Sequence, residues 1–531
     1  MKKLTLILII LIASILRFYK LDVNPPSLYW DEVSLGYNAY SISKTAHDEH
    51  RKFLPLTNFG AFGDYKPPGY IYATVPSIAL FGLNEFAVRF PSAAFGVLTV
   101  VITYFLTKKL FEKEKIALVS ALLLAVSPWH LQFSRAAFES NLALFFSTAA
   151  IYLFVKFKEK VIFIFPSLML FLLAMYTFTG QRLFVPFILI ILFIQFKNEI
   201  FKNIKYVFLA GTIFTILFYP LFKFASYTIE GRSRFNEVTI FKDLKPINDS
   251  TRARSQDNFA WWSGIIDNRR IYFSHEYLVN YFDAFNPSFL FYSGDINPRL
   301  STQGVGELYY FELILLLAGT YSIVKNKEKY AFLIFGWLLI SPLGPATARE
   351  TPHALRMAHI LPTFQVISAY GLYYLLNRFK FRKLMIISTP LVIGLSVFAY
   401  LHFYHVHYPK EYSGEWQYGY KEAINEVAAQ QSKVGKVVIS NYIGRAYINL
   451  LFYTKVDPAD YIAKANVTRD EQFFYNVNSF DKYIFTDHIE AFNSANTLYV
   501  SSPGHLPSSA LKLKTVYNLN NYPVFEVGII P

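Results

Sequence analysis

Two adjacent acids, Asp31 and Glu32, stand in the stretch SLYWDEVSLGYNAYSISKTAHDEH at 27–50. A carboxylate held beside a reacting group can take or give its proton. Acids at the start of a helix are also stabilised by its macrodipole, with no chemistry implied. More polar residues cluster nearby: Arg17, then GDYKPPGY (63–70) with Asp64 and Lys66, then NEFAVRFPS (84–92). Further on, SPWHLQFSRAAFESN (127–141) sets Arg135 and Glu139 four residues apart. That spacing suits a helical salt bridge, or charges kept near a membrane because a site needs them.

Further cations are Arg182, Arg232, Arg234, Arg349 and Arg356, with His353 among them. Guanidinium groups bind phosphate and diphosphate through forked, charge-assisted hydrogen bonds. Any one of them alone reads equally as a solvated or lipid-facing charge. HDEH (47–50) and HFYHVHY (402–408) offer groups that could ligate a divalent metal, although neither has a diagnostic spacing. The chain has no cysteine, which excludes disulfides, thiolate chemistry and Cys-ligated zinc.

These residues must be positioned by a membrane protein. The 531-residue chain is 53% hydrophobic and 18% aromatic, and a helix needs roughly 20 apolar residues to cross the hydrocarbon core. Uncharged runs predict about eleven transmembrane helices, near 4–19, 90–107, 116–134, 140–155, 161–179, 183–196, 206–222, 308–324, 330–347, 357–377 and 384–403. The segment 70–83 is too short to span, and Pro76 lies within it, so an interfacial or re-entrant helix is expected there. Leaving it outside puts the basic turns at 108–115, 156–160, 197–205, 325–329 and 378–383 in the cytoplasm, as the positive-inside rule requires. The net charge of +14 is thereby explained by short inner turns, and nucleic acid is not an expected partner. The N-terminal run reads as a retained first span, because no small-residue cleavage site follows it.

The outer face then receives 20–89, 223–307, 348–356 and the tail. The stretch after Asp31, with Val33, Leu35, Tyr37 and Tyr40, is expected to form an amphipathic helix lying on the membrane. In the tail, helix-like YGYKEAINEVAAQQ precedes strand-like KVVIS, KYIFTD and TLYVSS. The expected organisation is a polytopic α-helical membrane domain at 1–403 with interfacial helices in its first outer loop. A small extracytoplasmic α/β domain follows at 404–531.

Four motifs occur in order over residues 12–145: ILRFYKLDVNPPSLYWDE, DYKPPGY, FGLNEFAVRFPSAAFG and SPWHLQFSRAAFESN. Together they resemble the N-terminal half of the protein O-mannosyltransferase-like glycosyltransferases. That group includes glycosyltransferase family thirty-nine, proteins with the RgtA/B/C/D-like domain, and the aminoarabinose transferases of lipid A. The resemblance implies the GT-C fold and transfer of a sugar from a polyprenyl-phosphate donor to a glycan, lipid or protein acceptor on the outer leaflet. It gives Asp31 the role of base or acceptor positioner, Lys66 a donor-phosphate contact and Glu139 active-site support. One departure stands out, since the aminoarabinose transferases carry a metal-ligating Glu just before that Lys. Here the position is Tyr65, with Asp64 one further back, which puts a bound divalent metal in doubt.

A phosphate leaves as an anion, so the reaction needs one carboxylate to accept the proton of the attacking hydroxyl and cations to hold the growing charge. The expectation is in-line displacement with inversion. Asp31 is the base, Glu32 or Glu139 orients it, and Lys66, Arg135, Arg234 and Arg356 bind phosphate. A lipid-linked saccharide transporter would instead place ionisable groups near the bilayer midplane. A wall-glycan polymerase or ligase is the nearer alternative.

Overall fold

A computed structural model describes residues 2–531 apart from 63, 379–381, 443 and 472. The side chains of Lys2 and Arg234 also lie outside the described residues. Two compact units emerge, and neither is a continuous stretch of chain. The first comprises Met1–Ala13, Gly96–Gln132 and Ser140–Phe398, and the second Ser14–Phe95, Phe133–Glu139 and Ala399–Pro531. The tail thus shares a unit with the first long loop, a grouping different from the expected division at 403.

Helices dominate the first unit. Its core gathers apolar side chains such as Leu106, Phe154, Phe171, Ile188, Trp337 and Tyr370. Helices Tyr310–Lys325 and Thr363–Arg378 approach so closely that a Cβ on Gly319 would stand 2.1 Å from the Ile367 carbonyl oxygen. One on Gly371 would stand 2.0 Å from that of Leu315. Small residues at a crossing are what let apolar helices gain packing in lipid, where no hydrophobic drive separates helix from solvent.

Among the described residues, three helices are long and apolar enough to cross a membrane: Glu85–Phe111, Ile204–Tyr227 and Arg382–Glu411. A fourth candidate is the pair Glu114–Val126 and Pro128–Arg135, bent by 56°. The bend follows from Pro128, which has no N–H to donate and disfavours helical backbone at Ser127, found at φ −58°, ψ 127°. Val161–Thr177, Gln181–Gln195 and Ala331–Thr347 are apolar but shorter. By length and composition three or four spans are thus present among the described residues, fewer than the eleven expected.

In the second unit the chain runs α1 (Lys2–Phe18, its last turn), α2 (Trp30–Thr45), a hairpin of β1 (Phe59–Ala61) and β2 (Asp64–Lys66), α3 (Pro68–Phe81) and the start of α4 (Glu85–Phe111). Pro68 in the first turn of α3 surrenders no helical hydrogen bond. The 14 residues of this helix are too few to span. Helix α2 corrects an expectation: Glu32 through Ala39, Ser41 and Ile42 are all buried, so it does not lie on a membrane surface. A protein coat replaces the lipid. A Cβ on Gly36 would meet Val88 Cγ2 at 2.5 Å and Phe452 Cε2 at 2.9 Å, so only glycine admits both neighbours.

The tail contributes a seven-stranded sheet. Its strands are β3 (Lys436–Ser440), β4 (Asn466–Arg469), β5 (Tyr475–Phe480), β6 (Tyr483–Thr486), β7 (Thr497–Ser501), β8 (Leu511–Tyr517) and β9 (Pro523–Ile530), in the order β4-β5-β6-β3-β7-β9-β8. Central β3 pairs in parallel with β6 and β7, while the outer pairings are antiparallel. Helix Tyr420–Gln430 buries Tyr420, Ala423, Ile424 and Val427, one stripe at helical spacing. The strands and helix read from KVVIS, KYIFTD, TLYVSS and YGYKEAINEVAAQQ correspond to β3, β6, β7 and this helix.

Candidate active site

Lys66 ends β2, where the hairpin register pairs it with Phe59, and Pro67 and Pro68 turn the chain directly into α3. This short, stiff path holds a lysine whose side chain is only 12% exposed. Its ammonium lies 3.0 Å from Asp31 Oδ1 and 3.1 Å from Asp64 Oδ2. Asp31 comes from the first turn of α2 and is 40% exposed, the most open member of the group. Asp64 is fixed by accepting the Tyr65 N–H at 2.7 Å. Burial alone would lower the Lys66 pKa, but the charges of Asp31, Asp64 and Glu139 outweigh it and raise it, so the ammonium stays charged at any working pH.

Glu139 opens the helix Glu139–Lys156 close enough for its charge to act on Lys66. Burial raises its pKa, Lys66 opposes that rise, and Asp31 and Asp64 add to it. The structure therefore brings together Asp31, Lys66 and Glu139, with Asp64 as a fourth member.

Glu32 does something else. Its carboxylate is 3% exposed and meets the fully buried Arg89 in a two-pronged pair, Nε to Oε1 and Nη2 to Oε2, both 2.9 Å. It also accepts the Tyr29 N–H at 3.1 Å and the Ala137 N–H at 2.8 Å. Arg89 spends its other donors on the carbonyls of Leu21, Pro25 and Ser27. With its oxygens filled, Glu32 pins α2, α4 and the 136–138 turn together and does not orient Asp31, contrary to expectation. Arg89, in the motif NEFAVRFPS, was passed over in the sequence reading. The signal was a lone cation beside an apolar helix start, which has to be paired if buried.

Arg135 is likewise structural rather than a phosphate contact. Its Nε donates to the Tyr404 hydroxyl, and Nη1 and Nη2 donate to the carbonyls of Leu16, Arg17, Tyr19, Lys20 and Asn24. All five N–H groups are occupied, so none remains for a ligand. Nor does an Arg135–Glu139 salt bridge form among the described contacts. Arg356 belongs to the first unit, where it reaches the Glu350 carbonyl at 3.0 Å and its carboxylate at 3.5 Å. Arg234 lies in helix Ile229–Val238, and its side chain is outside the described residues.

For a resident divalent metal the local chemistry is a poor fit. Among the described residues no group of three or more His, Asp or Glu side chains is placed to hold one. Between Asp31 and Asp64 stands the Lys66 ammonium. HDEH and HFYHVHY form no such set either.

The four residues can take a proton at an open carboxylate and present a cation beside it. Residues 7–181 match the family model described as dolichyl-phosphate-mannose-protein mannosyltransferase. Two uncharacterised proteins of Aquifex aeolicus are similar, one 29% identical over 253 residues (46% of this chain, 48% of the relative). The other is 34% identical over 134 residues (22% and 31%). The chain thus spans about half the length of the first curated relative and less of the second.

Among solved structures, ArnT from Cupriavidus metallidurans bound to undecaprenyl phosphate superposes with a TM-score of 0.59 at 11% identity, covering 98% of this chain and 97% of that one. The archaeal oligosaccharyltransferase AglB from Archaeoglobus fulgidus, in complex with an inhibitory peptide and a dolichol-phosphate, gives 0.51 at 13%, covering 85% and 63%. Residues 7–181 are thus similar to that mannosyltransferase family, and the chain as a whole shares the GT-C fold of ArnT.

Proposed function

We propose that this protein is an integral membrane glycosyltransferase. It moves a sugar from a polyprenyl-phosphate donor to an acceptor hydroxyl on the extracytoplasmic face, with inversion. The observation that carries the reading is the Lys66 ammonium held 3.0 Å from the half-open carboxylate of Asp31. The relatives in the fold support the donor class, since ArnT was solved with undecaprenyl phosphate and AglB with a dolichol-phosphate.

In the resting site Lys66 is shared by Asp31 and Asp64. An arriving donor phosphate competes for that ammonium and draws it away from Asp31, leaving the carboxylate free to accept a proton. The acceptor oxygen attacks the anomeric carbon as the bond to the phosphate oxygen breaks. The electron pair goes to the phosphate, and the hydroxyl proton passes to Asp31. Lys66 meets the extra negative charge, a stabilisation felt more strongly in the transition state than in the ground state. Glu139, its pKa raised by burial, limits the negative charge around the incoming phosphate when it holds its proton. The cations expected at Arg234 and Arg356 are not needed for these steps.

Asp31→Asn tests the base assignment. With labelled polyprenyl-phosphate sugars and purified protein, transfer should fall by about 10²- to 10⁴-fold, the range for losing a general base. The melting temperature should hold. Near-normal transfer by a folded Asp31→Asn protein would refute it.

A further inference from the structure

Directly after α2, the loop 46–53 and the strands β4 and β5 line a half-open cavity of about 190 Å³ within the second unit. That is many times the ~10–15 Å³ of such volume that one water molecule needs. Two buried polar side chains line its floor. Glu49 is 0% and His50 2% exposed; among the described residues His50 Nε2 has no hydrogen-bond partner, while the Tyr447 hydroxyl faces the Glu49 carboxyl. A buried polar atom without a partner is costly, so the open His50 nitrogen at the cavity wall points to a bond supplied from outside the chain.

The rest of Glu49 is deliberately held. Its Oε1 accepts from Asn38 Nδ2 at 2.9 Å, and its N–H donates to Asn38 Oδ1 at 3.1 Å. His50 is held flat by stacking on Tyr475, ring centroids 3.7 Å apart and planes 5° from parallel. Arg469 lies over the same Tyr475 ring at 4.4 Å. Burial pushes the Glu49 carboxyl up to about 8 and the His50 imidazole down to about 3, the latter helped by the Arg469 charge. The floor is therefore uncharged near neutral pH, offering a carboxyl O–H and an imidazole, each able to bond a hydroxyl.

The rim is cationic. Arg51 gives Nε and Nη2 to the Ile462 carbonyl, and Arg469 gives Nη2 to the Tyr475 hydroxyl. Among the described residues neither guanidinium has an acidic partner, and Arg51 Nη1 carries no hydrogen bond. Two unneutralised arginines over a neutral, hydrogen-bonding floor suit a ligand with hydroxyls at one end and negative charge at the other.

We propose that this cavity binds an anionic saccharide, a sugar bearing a carboxylate or phosphate, as a subsite for the acceptor. The word acceptor rests on the transferase reading, whereas the binding does not. The hydroxyls bond Glu49 and His50, and the anionic group meets Arg51 and Arg469.

Calorimetric titration of the full chain in lipid nanodiscs tests this with four probes: a trigalacturonate, mannose 6-phosphate, an uncharged trisaccharide and inorganic phosphate. The expected result is binding of one or both anionic sugars, at least tenfold weaker in Arg469→Gln and in Glu49→Ala. Glu49→Gln, which keeps a neutral donor, should retain binding, and Arg469 is exposed enough for its variant to fold. Equal affinity for the uncharged trisaccharide, inorganic phosphate binding as tightly as the sugars, or no change in Arg469→Gln would each overturn the proposal. Binding by Asp31→Asn protein should equal wild type, so loss of transfer in that variant leaves the pocket result standing.

Discussion

Asp31 and Glu32 are neighbours in sequence with opposite fates. Successive side chains on a helix diverge by about 100°, so Asp31 emerges towards Lys66 at 40% exposure while Glu32 points inward to Arg89 at 3%. The two substitutions should therefore separate cleanly. Asp31→Asn loses transfer and keeps its melting temperature. Glu32→Gln strands the buried Arg89 charge and should destabilise by about 3–5 kcal/mol, read as a lower denaturation midpoint. Lys66→Ala should raise the donor concentration needed for half-maximal rate more than the acceptor concentration. The reverse ordering in steady-state kinetics would remove Lys66 from the phosphate. The choice of Asp31 over its neighbour was legible once a phosphate leaving group was assumed, since that chemistry asks for a single base. The burial of Glu32 was not legible, because its partner lies 57 positions away.

At the level of elements, helix α2 determines where Asp31 stands. Its position depends on Gly36, whose missing Cβ lets Val88 and Phe452 close in. Gly36→Val should force these neighbours apart and cost about 1–3 kcal/mol by overpacking, with transfer falling because Asp31 shifts relative to Lys66. Measuring both melting and transfer distinguishes this from Asp31→Asn, which moves only the second. Apolar, aromatic α2 looked like a surface helix because hydropathy reports that a face is apolar, not what covers it. Strands β8 and β9 went unread although LKLKTVY alternates. The isolated two-period signal of an edge strand says little until a partner is known.

On the scale of the molecule, the first long loop and the tail form one unit. Contacts such as Trp30 N–H to Gln417 Oε1 at 2.9 Å and Tyr65 hydroxyl to the Phe473 carbonyl at 2.6 Å tie α2 and the hairpin to it. Removing residues after 403 should therefore expose the buried face of α2, raising proteolysis of the 27–66 region in addition to any effect on the acceptor. A truncated chain with unchanged protection there would count against this. The Glu49–His50 pair adds a pH signature. Glu49 has its pKa raised, so its stabilisation is present at low pH and lost as pH rises from about 4.5 through about 8. His50 has its pKa lowered, so its stabilisation is lost as pH falls from 6.5 towards about 3. The two slopes oppose each other between about 4.5 and 6.5. From 6.5 to 8 only Glu49 acts, and melting temperature should fall. Asp48 and Tyr447 face Glu49, and Arg469 faces His50; Glu49→Gln should flatten the fall between pH 6.5 and 8.

By itself the sequence determined the membrane class, the GT-C resemblance, the α/β tail and the choice of Asp31, Lys66 and Glu139 as candidates, which the structure brings together. These rest on composition, local periodicity and short ordered motifs, which are properties of nearby residues. Only the tertiary structure decided that Glu32 and Arg135 are structural, that Asp64 joins the site, and that the tail builds a pocket with the first loop. Each of those depends on pairing between residues tens to hundreds of positions apart. Whether a charge is solvated, paired or left to act is set by what the fold brings beside it.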